Sequence, residues 1–174
     1  MASEPADSEK GGVREEPNIH VELTHAHLSA QTIIDRVKSP KAGAVVLFAG
    51  TTRDTFASKP VSQLVYQSYV PLALTTLLSI AREVKSKHDL TAVSIVHRLG
   101  EVPIGEESIL IAVSAPHRQA AWRGGEEALE ETKKRAEVWK LEEFVGEKGV
   151  WRANRDGAVG EKVDETGEGN RQSS

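Results

Sequence analysis

Gly43-Ala44-Val45-Val46-Leu47-Phe48-Ala49-Gly50 is an unbroken apolar run closed at each end by glycine. Apolar character without alternation predicts a strand buried on both faces. Such a strand needs neighbours in its sheet and helices above and below it, and the flanking sequence supplies both. Upstream, Ile19, Val21 and Leu23 alternate with polar residues, the period-two pattern of a strand with one buried face. Ser29 is placed to cap a short helix carrying Ile33, Ile34 and Val37, which ends before Pro40.

Downstream, a polar loop from Thr51 to Pro60 leads to a second strand, Val61 to Tyr69. Pro71 sits where a first helical turn tolerates it and opens a helix with Leu74, Leu77, Leu78, Ala81 and Val84 inward. Leu90 to Leu99 is the next strand, Gly100 to Gly105 a turn, and Ser108 to Ser114 another strand, so a hairpin is expected. Pro116 opens a long helix to about Glu137, with Gly124-Gly125 a cost inside it. A last strand runs through Gly149-Val150-Trp151-Arg152. The sum is a single α+β domain with a mixed, mostly antiparallel sheet.

The chain has 174 residues, enough for one domain. Residues 1–17 and 157–174 are charged and nearly devoid of apolar side chains, so both read as disordered tails around a domain at 18–156. A net charge of -4 gives no basic footprint for nucleic acid, so any anion site must be local. No apolar run is long enough for a bilayer and the N-terminus lacks a signal-peptide pattern, so a cytoplasmic protein without membrane contact is expected. There is no cysteine, which excludes a thiolate nucleophile, a disulfide and an iron–sulfur cluster. If the protein handles sulfur, the sulfur arrives on another molecule.

Three places can carry chemistry. Ser114-Ala115-Pro116-His117-Arg118 lies where a strand ends and a helix begins; free N–H groups, the helix dipole and two basic side chains suit an anion such as phosphate there. The alternative is that His117 and Arg118 are ordinary solvated side chains. In Lys133-Lys134-Arg135-Ala136-Glu137-Val138-Trp139-Lys140, Lys133 and Lys140 share a face two turns apart if the helix persists. A neutral lysine is a nucleophile or base and a charged one binds anions, yet a basic last turn also simply complements the helix dipole. Arg53 follows the glycine-bounded strand, either as a functional loop residue or as a surface pair with Asp54. His97-Arg98 is assigned to packing, and His25-Ala26-His27 makes too poor a metal site to count.

Taken in order, these residues resemble one family, the large catalytic subunit of molybdopterin synthase. The resemblance runs from about Ile19 to Arg152. It is carried by Gly43 through Gly50 with Arg53, Tyr66-Gln67-Ser68-Tyr69-Val70-Pro71, Val96-His97-Arg98-Leu99-Gly100 with Gly105-Glu106, Ser114 through Arg118, and Lys133 through Lys140. It implies an α/β hammerhead-type fold and a central homodimer with a small ubiquitin-like subunit at each end, a heterotetramer. The small subunit's C-terminal thiocarboxylate would deliver two sulfurs in succession to cyclic pyranopterin monophosphate, forming the molybdopterin dithiolene, with no cofactor and no metal. Lys133 and Lys140 match the family's pocket lysines: Lys133 is expected nearest the thiocarboxylate, and Lys140 is expected to stabilise negative charge and hold substrate. His117 and Arg118 match the substrate-anion pair, and Arg53 an arginine of the same pocket. Leu141 and Glu142 fall in the substrate-contact segment that begins at Lys140.

The sequence departs from the family pattern at three points. Glu137 stands where Pro is common, which lets the helix run on; Leu141 replaces a commonly basic residue; and Thr51-Thr52 replaces a small–hydrophobic pair. Two other function classes stand beside the sulfurtransferase, a phosphate-ligand binding module without catalysis and a scaffold for a ubiquitin-like partner.

Overall fold

A computed structural model describes residues 10–154. The first sheet consists of β1 (Gly12–Glu16), β2 (Ile19–Thr24), β3 (Ala44–Thr51), β6 (Ala92–Arg98) and β8 (Glu107–Ala115), ranked β1-β2-β6-β8-β3. Only β2 and β6 pair in parallel; the other neighbours are antiparallel. The second sheet is antiparallel throughout, with β4 (Thr55–Phe56), β5 (Lys59–Ser68), β9 (Val138–Phe144) and β10 (Val150–Ala153) in the order β10-β9-β5-β4, and β7 (Gly100–Pro103) also pairing with β5. Three helices, α1 (Ala30–Val37), α2 (Val70–Lys87) and α3 (Arg118–Arg135), complete an α+β domain.

Alternation along β6 and β8 divides the core. Ile95, Ile109, Ile111 and Val113 face α2 and α3, while Val96, Leu110 and Ala112 face Ile33 and Val37 of α1. Ser29 caps α1 by accepting the Thr32 N–H at 3.2 Å, and the expected inward residues of α2, from Leu74 to Val84, are all buried. Gly124 and Gly125 let α3 pack closely: a Cβ at 124 would meet Leu90 Cδ1 at 2.7 Å.

Several expectations are corrected. The strand buried on both faces is not β3. It lies at the sheet edge with Val45 38% exposed, and the doubly covered strands are β6 and β8. Residues 12–16, expected in a tail, form β1; backbone pairing with β2 and an Arg82–Glu16 ion pair hold it, so no apolar pattern announces it. The rest of the expected tails, 1–9 and 157–174, lies outside the described residues. The loop 51–60 contains a hairpin, β4–β5, turned by Ala57 and Ser58 at φ 47° and 63°. Gly100, at φ 78°, swings the chain out of the first sheet, so the expected turn begins as β7. The helix does not run on through Glu137. It ends at Arg135, and Val138–Phe144 is a strand.

Candidate active site

The two sheets and the C-terminal end of α3 enclose a cavity of about 310 Å³. Phe48 and Gly50 of β3 and Ile109 of β8 form one wall; Val61, Leu64 and Tyr66 of β5 form another. A register shift between Val61 and Gln63 brings Val61 onto the same face as Leu64 and Tyr66, which plain alternation would not do. Thr132 and Lys133 enter from the last turn of α3, Arg53 from the loop after β3, Lys140 and Glu142 from β9, and Asn154 from the end of β10.

Lys133 and Lys140 thus meet in one cavity, though not by the route expected. Ala136, at ψ 135°, leaves the helix, its N–H donating to Thr132 O at 3.0 Å, and β9 starts at Val138. On β9 the side chains alternate, so Lys140 and Glu142 face the cavity while Leu141 turns to the other side against Gly149. Leu141 is therefore corrected: it does not line the cavity. Arg53 does, and among the described residues it has no ion-pair partner, Asp54 included.

Charge in the cavity is organised around Glu142, which is 1% exposed. Its Oε1 lies 3.4 Å from Lys140 Nζ and its Oε2 3.7 Å from Arg152 Nε. Both cations also sit over the Phe56 ring, each 5.8 Å from its centroid. A buried carboxylate between two cations fixes where they point. The other two cations of the Lys133–Arg135 cluster are directed elsewhere. Lys134 is exposed, and Arg135 grips Glu83 of α2 at 2.6 and 3.0 Å, raising its own pKa and holding the Glu83 carboxyl down at about 2. Arg98, placed with packing from sequence, is buried and bonds Glu106 at 2.5 Å, tying the end of β6 to the turn before β8. Among the described residues no three His, Asp or Glu side chains come together as a metal cluster.

His117 and Arg118 do not reach this cavity. They line a separate open pocket with Gly43 and the exposed Trp122 at the N-terminus of α3. The physical reason is length: α3 has 18 residues, about 27 Å at 1.5 Å per residue, and Lys133 is at its far end. Within one chain, the cavity expected from sequence is therefore two sites. Sequence inspection also missed Asn154, Thr132 and Arg152, none of which belongs to a pattern that would single it out.

Two lysines, an arginine and a buried carboxylate at the meeting of two sheets, in a chain without cysteine, define a site suited to group transfer on an anionic substrate. The profile of the MoaE protein family matches residues 23–135, and the chain belongs to that family. A molybdopterin synthase catalytic subunit from Neurospora crassa is 69% identical over 151 residues, covering 86% of this chain and 73% of the relative. One from Sclerotinia sclerotiorum is 66% identical over 151 residues, 86% of this chain and 77% of its own. The crystal structure of molybdopterin synthase from Staphylococcus aureus superposes with a TM-score of 0.71 at 31% identity, over 75% of this chain and 94% of that one. No helix among the described residues is long and apolar enough to cross a membrane.

Proposed function

We propose that the chain is the catalytic subunit of a molybdopterin synthase, moving sulfur from the C-terminal thiocarboxylate of a small ubiquitin-like subunit to cyclic pyranopterin monophosphate. One observation carries this: Lys133 and Lys140 line one cavity from different elements, together with Arg53. An anion-binding module needs positive charge but not two amines brought into register from a helix end and a strand. Each transfer forms a carbon–sulfur bond on the substrate side chain as a carbon–oxygen bond there breaks, and converts a thiocarboxylate to a carboxylate, water supplying the oxygen that replaces the sulfur; two rounds give the dithiolene. Lys133 meets the incoming thiocarboxylate as acid–base group or amine nucleophile. Lys140, held by Glu142, stabilises the negative charge that develops, and Arg53 contributes to substrate binding.

His117 and Arg118 enter this reading through a second copy of the chain. The outer edge of β3 is unpaired among the described residues, and α3 runs alongside β3 in the same sense. Gly43 touches Pro116 at the start of both, and Phe48 and Gly50 share the cavity with Lys133 at their end. Antiparallel pairing of β3 with its twofold mate lays the start of one strand against the end of the other. The His117–Arg118 pocket of one copy then faces the lysine cavity of its mate, where it can take the substrate phosphate. The assembly is a homodimer with one small subunit per chain.

The test is reconstitution. Purified chain, thiocarboxylated small subunit and cyclic pyranopterin monophosphate should yield dithiolene product. Lys133→Ala should lose most turnover, on the order of a hundredfold for an acid–base or nucleophilic group, while still binding the small subunit. Near-normal turnover in that variant would remove Lys133 from its role.

A further inference from the structure

Asn154 lines the cavity at the end of β10, and the transfer steps proposed above give it no task. Its side-chain amide is oriented from the core. His97 is 1% exposed, and its Nδ1 lies 2.8 Å from the carbonyl oxygen of Arg98. A carbonyl only accepts, so Nδ1 carries the proton. Burial holds the His97 pKa down at about 4, so the ring is neutral and Nε2 is a bare acceptor. The Asn154 side-chain nitrogen, 3.1 Å from Nε2, is therefore the donor. Tyr66 stands edge-on to the imidazole, centroids 4.8 Å apart, and the Asn154 N–H donates to Val138 O at 3.0 Å, so ring and backbone are both held. The amide nitrogen is turned into the protein, and the carbonyl oxygen is the end left for the cavity.

The cations of the cavity, Arg53, Lys133 and Lys140, suit phosphate and thiocarboxylate, and its hydroxyls, on Thr51, Thr55, Tyr66, Ser108 and Thr132, can rotate to donate or accept. A nitrogen heterocycle also carries N–H donors, and these need an acceptor. Glu142 is paired electrostatically with Lys140 and Arg152 but keeps an Oε2 without a hydrogen-bond partner, so it is a charged acceptor beside which Asn154 is a neutral one held in a fixed orientation. We propose that Asn154 is a substrate-orienting residue whose carbonyl oxygen accepts a hydrogen bond from an N–H group of the bound heterocycle, with His97 as the positioning residue behind it. The inference rests on the functional reading above and adds the recognition of the ring to that of the anion.

The experiment compares wild type, Asn154→Ala and Asn154→Asp in the reconstituted synthase, with kcat and KM for the cyclic substrate measured from about pH 6 to 8. Losing one neutral hydrogen bond should raise KM roughly threefold to tenfold in Asn154→Ala, with kcat within about twofold. Asn154→Asp keeps an oxygen toward the substrate but sets its second oxygen against Nε2, so His97 must take up a proton to accommodate it. Its KM should lie near wild type at the acid end and climb as pH rises, a dependence a merely structural role would not produce. An unchanged KM in Asn154→Ala, or a fall in kcat or thermal stability alone, overturns the inference. Should Asn154→Ala fail to fold, the pH dependence of the near-isosteric Asn154→Asp decides, and a flat KM there is equally fatal. If wild type forms no dithiolene, the functional reading fails; calorimetric binding of the cyclic substrate to wild type and variants then still tests the acceptor.

Discussion

Two defective variants of the chain, mixed, should regain activity if His117 and Arg118 serve the mate's cavity. Lys133→Ala damages the cavity of its own chain, and Arg118→Ala damages the pocket about 22 Å away along α3. In a mixed dimer, one composite site takes Lys133 from the Arg118→Ala copy and Arg118 from the Lys133→Ala copy, and is intact. The other carries both defects. Random subunit exchange makes half the dimers mixed and half of their sites intact, so about a quarter of wild-type turnover should return. The assay is dithiolene formation per chain, with excess small subunit and substrate below KM so that the Arg118→Ala defect shows. Native mass spectrometry of a mass-tagged copy verifies the exchange. Lys133→Ala mixed with Lys140→Ala is the control: both lysines line the cavity of one chain, so no site becomes whole and nothing returns. Complete exchange with turnover no greater than the mean of the separate variants would refute the crossed-site arrangement.

Two further predictions concern stability. His97 has a folded pKa of about 4 against 6.5 for a solvated histidine, so the unfolded chain binds the proton more readily. The stability this contributes is complete above about pH 6.5 and is lost as pH falls toward 4, about 3 kcal/mol over the window. His97→Phe, which keeps a ring against Tyr66, should show a shallower decline in urea-melt stability across that range, and parallel profiles would count against it. In α3, alanine at 124 and at 125 gains the same helix propensity, about 0.5–1 kcal/mol. The Cβ at 124 meets Leu90 Cδ1 and Cδ2 at 2.7 and 2.8 Å, whereas that at 125 meets Val46 Cγ1 at 3.3 Å. Gly124→Ala should thus be less stable than Gly125→Ala by at least about 1 kcal/mol, with equal melts the contrary result.

What was legible in the sequence follows from where the stabilising energy resides. β2, β5, β8, α1 and α2 bury periodic apolar faces, and periodicity found them. β1 and β7 are held by ladder hydrogen bonds to β2 and β5, with little apolar burial, and left no such trace. The apolar run at 43–50 was read as central because hydropathy reports composition and not rank in the sheet. Meanwhile β6 and β8, the strands covered on both sides, carry Ser94, His97, Ser108 and Ser114 among their buried residues. In the site, Arg53, Lys133 and Lys140 stood out by position and charge, and the family resemblance put them in one pocket. Asn154 was not, because what orients it is a histidine 57 residues earlier in the chain.

The break after α3 decides whether there is a site at all. Had the helix continued, Lys133 and Lys140 would lie about 10.5 Å apart along one helix face, both looking at whatever that face covered. Instead Glu137, which stands where the family resemblance leads one to expect proline, is held from two sides. Ser68 Oγ of β5 donates to its carbonyl at 2.8 Å, and Thr76 Oγ1 of α2 donates to its carboxylate at 2.9 Å. Val138 then pairs with Ser68, and the β5–β9 register brings Lys140 opposite Tyr66 on the cavity wall. Hydrogen bonds to a glutamate thus fix the end of the helix, a task for which proline has backbone stiffness. The relative position of the two amines is set by sheet register rather than helical pitch, and register cannot slip by one residue without turning Lys140 and Glu142 out and Leu141 in.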